Sequence, residues 1–263
     1  MIERITMIGA GNLAVSLAQA LQHAGIRIVQ VYSRTEESAG ALGRRLNVPY
    51  THVPEKTDLK SDLILVAVKD DAIVPVLERL PIGEQIVAHT AGSVPLHILK
   101  RYSRNYGVIY PLQTFSRNRT IDFSAIPLCL EAGTPAVMEE LEGLARKLSA
   151  SVSAVNSEKR KYLHLSAVFA CNFVNHFYYL AHQLLMDQQL SFDLLKPLIG
   201  ETAGKVLDLN PREAQTGPAR RYDRGIIGKH LELLENKPEF RKMYELVTDS
   251  IYQAHKNESN DLH

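Results

Sequence analysis

Ile5-Thr6-Met7-Ile8-Gly9-Ala10-Gly11-Asn12-Leu13-Ala14 is the stretch that decides the fold. A short, mostly apolar strand runs straight into G-x-G-x-x-A. Each small residue has a mechanical task. Gly9 permits the tight strand-to-helix turn, Gly11 lets the backbone approach a pyrophosphate, and Ala14 takes the place of the third glycine while still allowing close helix–strand packing. The motif by itself is weak, but its surroundings agree with it. Leu13, Leu17, Ala20, Leu21 and Ala24 recur at helical spacing, Gly25 ends that helix, and Ile28-Val29-Gln30-Val31-Tyr32 supplies a second strand. The pattern predicts a βαβ unit that binds a dinucleotide. Gly9, Gly11, Asn12 and Leu13 would lie where the helix presents unpaired N–H groups and its positive dipole end to the phosphates.

The second strand ends in Ser33-Arg34-Thr35. An NAD site usually carries Asp or Glu there, bonded to the ribose hydroxyls. With no carboxylate, nothing repels a 2′-phosphate. Arg34 can stack on adenine and pair with the phosphate, and Ser33 and Thr35 can donate hydrogen bonds. The segment also suits an ordinary turn with a solvated arginine and Thr35 as a helix cap, and the two roles are compatible. The expected cofactor is NADP rather than NAD.

Composition narrows the classes. Hydrophobic residues make up 45% and charged residues 22%, the balance of a globular protein with a proper core. A formal charge of +1 argues against a nucleic-acid-binding surface. No run is long and apolar enough to span a bilayer, and a strand begins within a few residues of Met1, so no secretory leader is expected. The two cysteines, Cys129 and Cys171, lie in apolar runs. They read as buried thiols of a reducing, cytoplasmic compartment, not as a disulfide or a metal site. The histidines are scattered without ligand spacing, so no metal is expected.

Along the chain, strand and helix patterns alternate as far as Val155. A helix is expected over 36–46, a short strand near Tyr50, and a buried strand over 62–68 with an aspartate of Asp70-Asp71 capping the next helix. Further strands are expected over 85–89, 107–110, 126–130 and 151–155, with a helix over 135–148. After Asn156 no strand signal returns. A long helix opens at Ser157 and could reach about Gln188, and helical segments follow near 192–209, 225–235 and 238–256. Residues 257–263 are polar and expected to fray. The expected architecture is α/β: a doubly wound Rossmann domain over 1–155 and an all-helical domain over 156–263, the second serving substrate binding and dimerisation.

From end to end the chain resembles the NADP oxidoreductase-like proteins that join a Rossmann half to a helical C-terminal domain of unknown function. These lie within the superfamily of 6-phosphogluconate dehydrogenase, pyrroline-5-carboxylate reductase and deazaflavin-dependent NADP reductase. The matching segments are IGAGNLA from Ile8, DLILVAVKDDAI from Asp62, HTAGS from His89, YPLQTF from Tyr110, YLHLSAVFACNF from Tyr162, and TGPARRYD from Thr216 followed by His230-Leu231. The first two are generic to the superfamily and the last three are specific to the group. Two departures stand out. Tyr110-Pro111 replaces the group's usual His-Pro, and Arg221-Tyr222-Asp223 replaces Arg-Gly-Asp. The resemblance implies that Ala67, Val68 and Lys69 lie along the cofactor and that Thr90 to Ser93 lies near the nicotinamide. It also implies pairing of two copies through the helical half.

Hydride transfer needs a proton donor or acceptor beside the reacting carbon. On the long helix, Lys161, His164, Val168, Asn172, Asn175 and Tyr179 form one stripe at 100° per residue. Tyr162, Ser166, Phe169, Phe173, Phe177, Leu180 and Leu184 form a second, the expected core face. Related dehydrogenases place a catalytic Lys and a substrate-binding Asn on the equivalent helix as K-x-x-x-N. Here Leu165 follows Lys161 by four, while His164 and Asn172 match the group's own pattern. The polar stripe fits either a solvated or dimer-facing surface or one wall of a substrate cleft whose other wall is His89–Ser93. In the cleft reading His164 is the general acid, since an ordinary histidine titrates near 6.5; Asn172 orients the substrate, Lys161 is a further catalytic candidate, and Ser93 and Asn175 touch the substrate. Two readings are open for Arg221: it holds a substrate carboxylate, or it braces the turn through Asp223. The expected activity is NADP-dependent hydride transfer to or from a small polar substrate such as a keto acid, a hydroxy acid or an imine. The alternative is a non-catalytic NADP-binding sensor or scaffold.

Overall fold

A computed structural model describes residues 1–116, 119 and 121–256. The chain divides into two compact units, Met1–Phe173 and the residues from Val174 onward. The first is built on strands β1 (Arg4–Ile8), β2 (Arg27–Tyr32), β3 (Tyr50–Thr51), β4 (Leu63–Val66), β5 (Ile86–His89), β6 (Tyr106–Pro111), β7 (Leu128–Ala132) and β8 (Val152–Ala154). They form one sheet in the order β3-β2-β1-β4-β5-β6-β7-β8. All neighbours are parallel except β6 and β7.

Strand β4 shows why the sheet is covered on both faces. Leu63, Ile64, Leu65 and Val66 are all buried. Side chains alternate across a strand, so Leu63 and Leu65 join the cluster of Leu17, Leu21 and Leu141, while Ile64 and Val66 join that of Ile73, Leu77 and Leu99. Each such side chain stabilises the fold by about 1.5–3 kcal/mol when fully buried. The first cluster draws on helices α1 (Asn12–His23), α2 (Glu36–Leu46) and, further along, α4 (Pro135–Ala145), and the second on α3 (Ile73–Leu77). Helix α2 starts at Thr35, whose side chain accepts from Ser38 N, and ends on Asn47 in the left-handed region. Helix α3 starts differently from expectation. Asp70–Ala72 forms a 3₁₀ turn and no side chain caps the helix, because the Asp70 carboxylate accepts from the Ser93 hydroxyl instead.

The ladder continues past the strand ends. Gly9 N donates to Tyr32 O at 2.8 Å, Ala67 N to Ile8 O at 2.7 Å and Thr90 N to Val66 O at 3.1 Å. The turns after β1, β2, β4 and β5 therefore share one edge of the sheet. Helix α5 (Ser157–Ala167), capped by Asn156, follows β8 and leads into a π-helical stretch, Val168–Phe173. The wider π turn advances fewer degrees per residue, so helical stripes drawn at a uniform 100° do not carry through it.

The second unit holds α6 (Val174–Asp187), α7 (Lys196–Asp208), α8 (Pro211–Ala214), α9 (Pro218–Arg221), α10 (Arg224–Leu233) and α11 (Pro238–His255). His255 ties α11 to α8 through the Arg212 carbonyl at 3.1 Å, and His230 meets the Tyr244 hydroxyl at 2.9 Å. Among the described residues of this unit only Leu234, Thr248 and His255 are buried. The expected core face is thereby corrected. Tyr162 is 73% exposed, Phe169 61%, and Phe173, Phe177 and Leu184 are exposed as well. Cys171 is also exposed rather than buried, although Cys129 is buried as expected. Apolar runs on these helices look like core in sequence, yet these side chains are exposed. Residues 257–263, expected to fray, lie outside the described residues. Among the described residues no helix is long and apolar enough to cross a membrane.

Candidate active site

The Gly-rich turn has two glycines held for different reasons. Gly9 has φ +119, and a Cβ there would lie 2.2 Å from the Ala67 carbonyl oxygen, so the turn after β4 packs directly on it. Gly11 has an ordinary φ of −74 as the N-cap of α1 and makes no side-chain cap bond. A Cβ on Gly11 would meet no protein atom within 4 Å. The fold does not require glycine there, whereas an approaching phosphate does. The first turn of α1 carries no acidic residue, so its N–H groups and dipole are available to an anion. The Asn12 side chain donates to Phe115 O at 3.1 Å and steadies the mouth of the turn. At the end of β2, Arg34 is exposed and has no acidic partner among the described residues, and Thr35 caps α2. These groups could hold a dinucleotide.

Farther along the same edge, Val68 is half-buried, and Lys69 and Asp70 are exposed. Beyond β5, the segment Thr90–Gly92 is buried, and a Cβ on Gly92 would lie 2.7 Å from both Cγ and Nδ1 of His164. The His164 ring of α5 thus lies on the backbone of the turn after β5. Its Nδ1 is 3.0 Å from the Tyr110 hydroxyl, with the rings edge-to-face at 6.0 Å. Tyr110 stands near the end of β6, and burial pushes its phenol up to about 12. The helix, the turn and the strand end converge on one half-buried imidazole.

Behind this pair lies a buried ionic group that sequence reading missed. Arg160 is fully buried. It pairs with the Glu131 carboxylate of β7 and donates to Val94 O at 2.7 Å. Ser157 donates to Glu131 at 2.7 Å and accepts from Leu96 N at 2.9 Å. Burial pushes Glu131 up, but the hydrogen bonds from Arg160 and Ser157 outweigh it and hold the carboxyl below its ordinary value. His89, the last residue of β5, is fully buried as well. Burial first, and then the Arg160 charge, push it down to about 4. Its Nδ1 accepts from Ala91 N at 3.2 Å, and its Nε2 has no partner at hydrogen-bonding geometry. Between the exposed Lys159 and Lys161 of the same helix, the register of Arg160 is the one signal in the sequence.

The other sequence-predicted residues are exposed. Lys161 pairs with Glu158 at 2.8 Å on the exposed side of α5. Asn172 is exposed within the π stretch, and Asn175 is exposed in the second unit. Ser93 is exposed and bonded to Asp70. Arg221 is exposed at the end of α9, and no Arg221–Asp223 ion pair forms among the described residues. Asp223 instead caps α10 by accepting from Ile226 N at 3.2 Å. Tyr222 occupies a left-handed conformation, φ 50, at the position where the group usually has glycine. It stacks on Tyr252 at 4.2 Å and lies under the Arg224 guanidinium.

Comparison with known proteins bears on what this edge is. A family model described as NADP oxidoreductase, coenzyme F420-dependent, matches residues 4–92, and one described as a domain of unknown function, DUF2520, matches residues 126–251. Comparison with curated proteins returns no match. A Bacteroides fragilis protein provisionally assigned as an NADP oxidoreductase is 45% identical, with 96% of this chain and 98% of that chain covered and a TM-score of 0.92. A Thermotoga maritima protein is 22% identical, covers 96% and 99% of the two chains, and has a TM-score of 0.79. An imine reductase from Myxococcus stipitatus in complex with NADP+ is 18% identical, covers 99% and 95%, and has a TM-score of 0.65. The last two show a shared fold. The resemblance read from the motifs holds: this chain belongs to the family in which an NADP oxidoreductase domain of the coenzyme F420-dependent type is followed by the domain DUF2520.

Proposed function

We propose that the protein is an NADP-dependent oxidoreductase acting on a small polar carbonyl, hydroxy or imine compound, with His164 as the group that handles the substrate proton. The observation that carries this reading is the contact of the His164 ring with Gly92 at the end of β5. In doubly wound sheets ligands lie across the carboxyl ends of the strands, and His164 stands at that edge with its Nε2 free of protein partners among the described residues. The family and the cofactor named for the imine reductase support a nicotinamide nucleotide, which supplies a hydride when bound. Gly9, Gly11, Asn12 and Leu13 would hold its pyrophosphate, Ser33, Arg34 and Thr35 its 2′-phosphate, and Ala67, Val68, Lys69 and Thr90 its nicotinamide half. Ser93 and Asn172 would contact the substrate. We assign residues 1–155 to cofactor binding and 156–263 to substrate binding and pairing of two copies, in a cytoplasmic enzyme.

The test is turnover. A panel of 2-oxo acids, simple ketones and cyclic imines is offered with NADPH, and cofactor oxidation is followed by absorbance. His164→Ala should lower turnover on an accepted compound by about a hundredfold, the lower range of proton-transfer catalysis, and leave NADPH affinity unchanged. Full turnover in that variant removes His164 from the mechanism. Tight NADPH binding with no turnover by the unaltered protein across the panel favours a sensor or scaffold instead.

A further inference from the structure

We propose that Tyr110 is a positioning residue and proton reserve for His164: its hydroxyl donates to Nδ1, keeps the imidazole proton on Nε2, and passes its own proton on when the Nε2 proton goes to the substrate. The inference rests on the reading of His164 given above, and it assigns the direction of a hydrogen bond and the source of a proton.

The direction follows from which polar atoms have partners. A neutral imidazole has one donor nitrogen and one acceptor. Tyr110 is 8% exposed, and its hydroxyl has no partner other than His164 Nδ1 among the described residues. If the hydroxyl accepted from Nδ1–H, its own proton would be left in a part-buried site with no protein acceptor among the described residues, which is unfavourable. If it donates, the need is met. Burial, with the Tyr110 phenol pushed up to about 12, keeps that proton in place at working pH. Nδ1 is then the acceptor and Nε2 carries the hydrogen. Nε2 is also the nitrogen without a protein partner among the described residues. Gly92 supports this arrangement, because any side chain there would displace the ring edge that bears Nδ1.

The proton balance closes. As hydride reaches a carbonyl or imine carbon, an electron pair shifts to the oxygen or nitrogen. The Nε2–H bond breaks as the new O–H or N–H bond forms. The Tyr110 O–H bond breaks as Nδ1–H forms. The imidazole ends neutral, with its proton on the other nitrogen, and the negative charge ends on the phenol oxygen, to be neutralised by a solvent proton. A phenol near 12 is still a far stronger acid than water, which aliphatic hydroxyls approach, so the transfer runs downhill. The buried Arg160 charge favours the phenolate, against the opposing influence of Cys129, which faces Tyr110 from β7, and of Asp70.

The experiment has a spectroscopic arm and a kinetic arm. Long-range ¹H–¹⁵N spectra of the full-length protein, with the His164 signal identified by its loss in His164→Gln, should show the Nε2–H form. Tyr110→Phe should erase that preference. The Nδ1–H form in the unaltered protein overturns the relay and leaves His164 as proton donor untouched. In turnover, Tyr110→Phe should lose about tenfold to a hundredfold in kcat, with KM and NADPH affinity little changed; retained affinity shows that the variant is folded. Wild-type kcat in Tyr110→Phe overturns the relay alone. Wild-type kcat in His164→Ala, or no turnover by the unaltered protein, overturns the relay together with the proposed function.

Discussion

Gly9 and Gly11 stand two residues apart in one motif, yet the fold needs only the first. A side chain at Gly9 would strike the Ala67 carbonyl and force a residue with φ +119 into strain, whereas Gly11 faces open space. Packing therefore gives no reason for the second glycine, and the pyrophosphate role proposed above supplies one. Tyr222 makes the opposite point. A non-glycine residue in the left-handed region costs about 1–2 kcal/mol, and its stack on Tyr252 offsets that cost with about 0.5–1.5 kcal/mol. A group-level glycine can thus be replaced where a local contact compensates. Arg34 is the residue on which we expect cofactor choice to turn. It is exposed and has no acidic partner among the described residues, so a 2′-phosphate would be its one strong partner. NADPH should bind more tightly than NADH, and Arg34→Ala should erode that preference by about 1.5–3 kcal/mol, the scale of a hydrogen bond to a charged group. Equal affinities for the two cofactors in the unaltered protein, measured by fluorescence titration, would falsify this.

At the scale of elements, α5 is held to the sheet by charge as well as by apolar contact. Removing one partner of a buried pair such as Arg160–Glu131 leaves the other charge uncompensated, and His89 at the end of β5 lies within reach of that charge. The His89 imidazole titrates near 6.5 in the unfolded chain and at about 4 in the folded one. Above pH 6.5 it is neutral in both states. As pH falls toward 4 the unfolded chain takes up a proton that the folded chain refuses, so stability falls, by up to about 3 kcal/mol. Urea midpoints should drop across that window, and His89→Gln should flatten the dependence; an equally steep fall in the variant would show that another group is responsible. Most elements of the first unit were legible because local rules govern them. Helix α2 begins and ends where Thr35 and Asn47 say it should, and β4 reads as buried because all four of its residues are apolar. What was not legible depends on partners remote in sequence. Asp70 abandons its helix for Ser93, Arg160 is buried because Glu131 awaits it, and Tyr110 meets His164 across 54 residues. The π stretch at Val168–Phe173 leaves no periodic trace in the sequence, so the stripe linking His164 to Asn172 and Asn175 was drawn through a helix whose pitch changes.

For the whole molecule the decisive fact is where apolar side chains meet water. The first unit buries its core on both faces of the sheet, whereas nearly all of the exposed large apolar residues fall between Tyr162 and Leu246. Among the described residues from Val174 onward, three are buried. Soluble monomers rarely leave apolar patches of more than a few hundred Å² open, and a helix gains its stability mainly by burying its apolar face. A second copy of the same chain is the simplest occupant, since a two-fold axis covers one patch with its own equivalent. We therefore expect a homodimer that pairs through the helical half. Light scattering at micromolar concentration should give twice the 29.4 kDa of the chain. Placing a charge in the patch tests the surface itself: Phe177→Glu should shift the mass toward the monomer and lower the urea midpoint, because the uncovered helices lose the contacts that stabilise them. The same substitution at Tyr50, which is 39% exposed in the first unit, should leave the mass unchanged. A monomeric mass for the unaltered chain at micromolar concentration, or a dimer indifferent to Phe177→Glu, would mean that these side chains are covered in some other way.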